Sequence, residues 1–101
     1  MSQVSDPLKT SGNEYKLIFE NDRARLMRAT FKPGDRAPMH NHPDHIAYML
    51  SGGKIKMTDS TGKTNVMELK TGEADFLPAQ SHEAQNIGDT TVDMLVIEFK
   101  K

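Results

Sequence analysis

Turn-forming residues interrupt this sequence at short intervals, and that spacing limits the fold more than any other feature. Asn21-Asp22, Pro33-Gly34, Pro43-Asp44, Ser51-Gly52-Gly53, Asp59-Ser60-Thr61-Gly62, Thr71-Gly72, Pro78 and Gly88-Asp89 each break the chain. The stretches between them run about 5 to 9 residues, which suits β-strands and leaves little room for helices. Their side chains also alternate as strands do. Lys54-Ile55-Lys56-Met57-Thr58 puts Ile55 and Met57 on one face and the lysines on the other. His45 to Leu50 runs up to Ser51-Gly52-Gly53, which reads as a tight hairpin because Gly tolerates positive φ. Val92 to Phe99 is mostly apolar on both faces, as in a strand covered on both sides, one side by the core and the other by a second sheet or a partner chain. Arg23 to Phe31 is the one helix candidate. It lacks a strong cap and stops at Pro33-Gly34, so strand is the preferred reading. The expectation is an all-β barrel or sandwich of about 8 to 10 short strands.

The chain has 101 residues, which is the size of one domain. Residues 1–13 are polar, with Pro7 and Gly12, and read as a flexible N-terminal arm; residues 14–101 form the barrel domain. The sequence contains no Cys, which excludes a disulfide scaffold, a thiolate metal site and a thiol nucleophile. No apolar run approaches the ~20 residues of a membrane span, and the first residues lack a signal pattern. The formal charge of −1 gives no reason to bind nucleic acid or an acidic membrane surface. A cytoplasmic, soluble protein is expected. Val92 to Phe99 and an arm able to extend a neighbouring sheet edge point to a homodimer.

The chemistry lies in the histidines. Of four His, three fall together at His40, His42 and His45, and the fourth is His82. In a strand, residues i and i+2 share a face, so the imidazoles of His40 and His42 can meet one metal ion. The turn at Pro43-Asp44 can return His45 beside them. His82 can join if its strand pairs near the first. No Ser-His-Asp arrangement, phosphate loop or carboxylate pair for acid–base work is readable.

These residues resemble the cupin family. The run Gly34-Asp-Arg-Ala-Pro-Met-His40-Asn-His42-Pro-Asp-His45 to Gly52 is similar to its first motif: Gly, five residues, His-x-His, a short gap, Glu, six residues, Gly. The run Gly72-Glu-Ala-Asp-Phe-Leu-Pro78-Ala-Gln-Ser-His82-Glu-Ala-Gln-Asn86 is similar to the second. The resemblance implies a single-domain double-stranded β-helix, the jelly-roll barrel. It also implies a mononuclear metal at His40, His42, His45 and His82, or at three of them. His45 stands where the family has Glu, and the middle Gly of the second motif is missing near Gln80. Neutral imidazoles suit Zn, Ni, Fe or Cu, and loss of a hard carboxylate makes Mn a poorer fit.

Around the metal, Gln80, Asn86, Met39 and Met49 are the pocket candidates. Asn86 has a second reading as ordinary turn chemistry before Ile87-Gly88. Gln80 could equally sit in a loop, and Met is most often core filler. Tyr48 falls on the opposite strand parity from His45 and reads as outer-face packing. The family implies dioxygenase, isomerase, lyase or decarboxylase chemistry on a small organic molecule, with a dioxygenase-type oxidoreductase preferred here. A non-catalytic small-ligand or metal-sensing module is the alternative. Because imidazole must be neutral to ligate, metal binding is expected to weaken below about pH 6.5.

Overall fold

A computed structural model describes residues 6–100. It is an all-β jelly-roll of two facing antiparallel sheets. The strands are β1 (Tyr15–Glu20), β2 (Ala24–Phe31), β3 (Arg36–His42), β4 (His45–Ser51), β5 (Gly53–Asp59), β6 (Thr64–Leu69), β7 (Ala74–Leu77), β8 (Gln80–Asn86) and β9 (Val92–Phe99). The larger sheet has the order β1-β2-β9-β4-β7 and the smaller β3-β8-β5-β6. From Ala24 to Phe31 the helix candidate is a strand, as preferred, and its alternation buries Met27, Ala29 and Phe31. These pack against Val92, Met94 and Val96 of β9 and Ile55 of β5 to form the core between the sheets.

The order of strands corrects one expectation. Ser51-Gly52-Gly53 is not a hairpin turn. β4 belongs to the larger sheet and β5 to the smaller, so this segment carries the chain across the barrel. Gly52 is needed for space: a Cβ there would collide with the carbonyl oxygen of Leu69. Positive φ occurs instead at Gly62 (90°) and at the motif glycines Gly34 (89°) and Gly72 (86°), a conformation Gly adopts without strain. The turn at Pro43-Asp44 also crosses between sheets, from β3 to β4.

Residues 6–13 correct a second expectation, while residues 1–5 of the predicted arm lie outside the described residues. Pro7–Thr10 form a short helix, α1, with Asp6 as its N-cap: the Asp6 carboxylate accepts the Leu8 N–H at 2.9 Å. Pro7 is buried and Leu8 packs against the core. α1 lies against β1 and β3, where the edges of the two sheets meet. No helix of the described residues is long and apolar enough to cross a membrane.

Candidate metal centre

β3 and β8 bring the histidines together by register. His40 and His82 are direct cross-strand partners in the smaller sheet, and His42 follows His40 on the same face. All three are buried. One ring nitrogen from each lies within 4.8 Å of the others, close enough to share an ion. The ring centroids are 4.7 Å apart for His40 and His42, 4.8 Å for His40 and His82, and 5.1 Å for His42 and His82.

His45 is buried beside the cluster but outside that group of three. It opens β4 in the facing sheet, and its ring stacks on His42 with centroids 4.5 Å apart and planes inclined by 30°.

Every ring is anchored through Nδ1. His40 Nδ1 donates to the Pro38 carbonyl at 2.6 Å, and His45 Nδ1 to the Pro43 carbonyl at 2.7 Å. His82 Nδ1 donates to Gln80 Oε1 at 2.9 Å. His42 Nδ1 donates to the Glu98 carboxylate at 2.6 Å. All four partners are oxygen acceptors, so each Nδ1 carries a proton, and in the neutral ring the lone pair is on Nε2. Among the described residues, the only hydrogen-bonding contact to an Nε2 is the Tyr15 hydroxyl, at 3.5 Å from His40. Nδ1 anchoring of this kind is how metal-ligating imidazoles are oriented, and the donor set fits a divalent transition metal.

Glu98 was not singled out from the sequence, yet it is the pivot of the site. It is buried at 3% exposure and is the cross-strand partner of His45. Its Oε1 accepts from Arg25 at 2.8 Å, while Arg25 also forms a two-pronged pair with the Asp6 carboxylate at 2.9 and 3.1 Å. One chain of contacts therefore runs from the cap of α1 through Arg25 and Glu98 to His42. Asp6, Arg25 and Glu98 together leave one net negative charge at the cluster. A carboxylate absent at residue 45 is thus present on β9, hydrogen-bonded behind His42. The available signal was parity: Glu98 occupies the same inward face as Val92, Met94 and Val96.

Burial sets the protonation of the site. It lowers His40 to about 4, with the Pro38 carbonyl opposing, and lowers His82 to about 3, with the neighbouring imidazoles adding to it. His45 is also lowered, chiefly by burial. Burial would raise Glu98, but the hydrogen bonds from His42 and Arg25 outweigh it and hold the carboxyl below its usual value. Burial thus favours the neutral form of His40, His45 and His82.

Beside the cluster lies an apolar cavity of ≈ 30 Å³, room for one or two water molecules. His45 and His82 line it, with Met49, Met57, Met67 and Met94. Met49 is where the sequence placed it. Met39, Gln80 and Asn86 are not lining residues. Gln80 holds His82, and Asn86 braces the turn, donating to the Phe31 and Thr90 carbonyls while its Oδ1 accepts the Gly88 N–H. On β6 and β7, Met67, Leu69, Asp75 and Leu77 line the side where the sheet edges face solvent.

Two facing antiparallel sheets around a buried three-histidine cluster define a jelly-roll barrel with a candidate metal centre. The cupin domain pattern matches residues 27–98, and the chain belongs to that family. A cupin domain from Bordetella pertussis Tohama I superposes with a TM-score of 0.79 at 22% identity, covering 86% of this chain and 92% of that one. A cupin superfamily protein from Desulfitobacterium hafniense DCB-2 gives 0.65 at 18%, covering 86% and 76%. The polyketide cyclase RemF from Streptomyces resistomycificus gives 0.63 at 23%, covering 86% and 64%. At these identities the likeness is one of fold. Among curated proteins none matches.

Proposed function

We propose that this chain is a metal-dependent cupin in which His40, His42 and His82 hold one divalent transition metal. The observation that carries the reading is the anchoring of every Nδ1, which leaves nitrogen lone pairs from three strand-fixed rings within reach of one ion. Nitrogen donors favour Zn, Ni, Fe or Cu over Mn, since Glu98 is engaged by Arg25 and His42. A metal so held supplies Lewis acidity and open positions for a substrate.

The methionine cavity takes a small apolar organic molecule. Its side chains are unbranched and adaptable, so they can move to enlarge a space now only one or two waters in size. His45 lines that cavity beside the cluster and is placed to hold or move a proton at Nε2. The activity favoured is of the dioxygenase type, consuming O₂. The small cavity supports a second reading, a ligand- or metal-sensing module without turnover.

Elemental analysis of protein purified without an affinity tag tests the metal. About one equivalent per chain is expected. Less than about a tenth of an equivalent of any transition metal after reconstitution sinks the reading. O₂ uptake across a panel of small apolar substrates separates the two functions: binding with no uptake under any metal leaves the sensing module.

A further inference from the structure

The outward face of the larger sheet carries an apolar row across all five strands. Cross-strand pairing aligns Phe19 with Leu26, Leu26 with Ile97, Ile97 with Ile46, and Ile46 with Phe76. All five lie on the parity opposite to the buried Met27, Val96 and Ala47. Phe19 and Phe76, at the two ends, are 54% and 60% exposed. Around the row lie Leu95, Phe99, Tyr48 and Leu50, the last three also exposed. The core faces the other way, and α1 packs on β1 and β3, so neither accounts for these side chains.

The row reads almost the same from either edge: aromatic, aliphatic, aliphatic, aliphatic, aromatic. Its midpoint, Ile97, sits on β9, the middle strand of the sheet. We infer that this face pairs with the same face of a second copy, about a two-fold axis running along β9. A two-fold contact requires a surface complementary to itself, and this row meets that requirement. Rotation about β9 exchanges β1 with β7 and β2 with β4. Phe19 then faces the partner's Phe76, Leu26 faces the partner's Ile46, and Ile97 faces its own copy.

The neighbouring row obeys the same rotation. Lys16, Arg28, Leu95, Tyr48 and Ala74 are aligned by the same register. Arg28, held on its own chain by Asp93, comes over the partner's Tyr48, a cation over an aromatic ring. Lys16 meets Ala74, and Asp93, one row further along β9, meets its own copy with its charge offset by Arg28. The face measures about 24 Å across five strands and about 20 Å along three rows, so a pair covers roughly 1,000 Å², the lower bound of a specific interface. This arrangement also answers why β9 is apolar on both faces: one face lines the core and the other sits on the axis. It is independent of the metal.

The test is sedimentation equilibrium of the full chain, with far-ultraviolet circular dichroism as the check on folding. The wild-type chain is expected to be a dimer, and a monomer at all concentrations up to about 1 mM overturns the proposal. Ile97→Lys places two ammonium groups on the axis and is expected to raise the dimer Kd by at least about 100-fold. An unchanged Kd overturns the proposal. Phe19→Glu and Phe76→Lys lie at the exposed ends, where folding is not at stake. Each alone is expected to weaken the dimer, and the two combined in one chain to restore it, because opposite charges then meet at both ends. Failure of the combined variant to recover overturns the two-fold register.

Discussion

The barrel has two seams where the sheet edges come together without a shared ladder, and they are built in opposite ways. At the β1/β3 seam, α1 closes the gap, and its Asp6 cap is tied through Arg25 and Glu98 to His42. At the β6/β7 seam nothing equivalent lies among the described residues. The lining there is Met67, Leu69, Asp75 and Leu77, and β7 is only four residues long. One seam fixes His42 with charge-assisted hydrogen bonds. The other surrounds a cavity with side chains that repack easily. Under the proposed function, fixing an ion and admitting a ligand are conflicting demands, and they would fall to different sides of the barrel.

The contrast breaks first at the ligands. His82→Ala removes one of three donors and should weaken metal binding by at least about 100-fold, given roughly 10–16 kcal/mol shared among the ligands of a tight zinc site. His45→Ala should leave the stoichiometry intact. Competition against a chromophoric chelator reads both, and equal losses would remove the distinction between the group of three and His45.

Glu98→Gln tests the closed seam next. It keeps an acceptor for His42 but removes the charge, so a 10- to 100-fold loss of metal affinity is expected, the usual effect of altering such a support. An unchanged affinity would make Glu98 merely structural. At the open seam, Met67→Trp should fill the cavity and abolish binding of a small apolar probe while metal content stays at one equivalent. Loss of both would show that the two seams are not separable.

Acid should act on the metal-free protein in a direction set by the buried rings. Unfolded, the histidines bind protons near pH 6.5, whereas folded His40 and His82 do so only near 4 and 3. The unfolded state therefore holds more protons in that window. Stability should fall as pH drops from about 6.5 towards 3. Thermal melts of the metal-free protein at pH 7.5 and 5 should show a lower Tm at the acid pH. The smallest effect belongs to the outer end of the tie: Asp6→Ala loses a helix cap worth ~1 kcal/mol, a Tm shift of about 4–8 °C for a domain of this size.

Much of this was legible in particular residues. Ile55 and Met57 alternate with lysines, and Val92, Met94 and Val96 alternate along β9, so strand character and the inward faces follow from parity. His40 and His42 share a face for the same reason. Glu98 lies on the buried parity of β9, but parity does not say what a buried carboxylate will meet. Its partners His42 and Arg25 are far away in sequence, on β3 and β2. The short arm misled because Pro7 and Gly12 look like loop residues. α1 is too short to be stable alone and exists because Pro7 is buried, Leu8 packs against the core and Asp6 pairs with Arg25. Ser51-Gly52-Gly53 misled because two glycines suit a hairpin and a close crossing equally well.

The sequence alone determined the strands, their faces and the presence of four histidines at positions able to converge, since these depend on residue type and on a period of two. The tertiary structure decided which strands share a sheet, and with it which histidines meet. It alone paired His40 with His82, set His45 to one side, placed a carboxylate behind His42 and left one seam open. The physical reason is that hydrogen-bonded strands are indifferent to their distance in sequence, so pairing between remote segments is chosen only when the whole core closes.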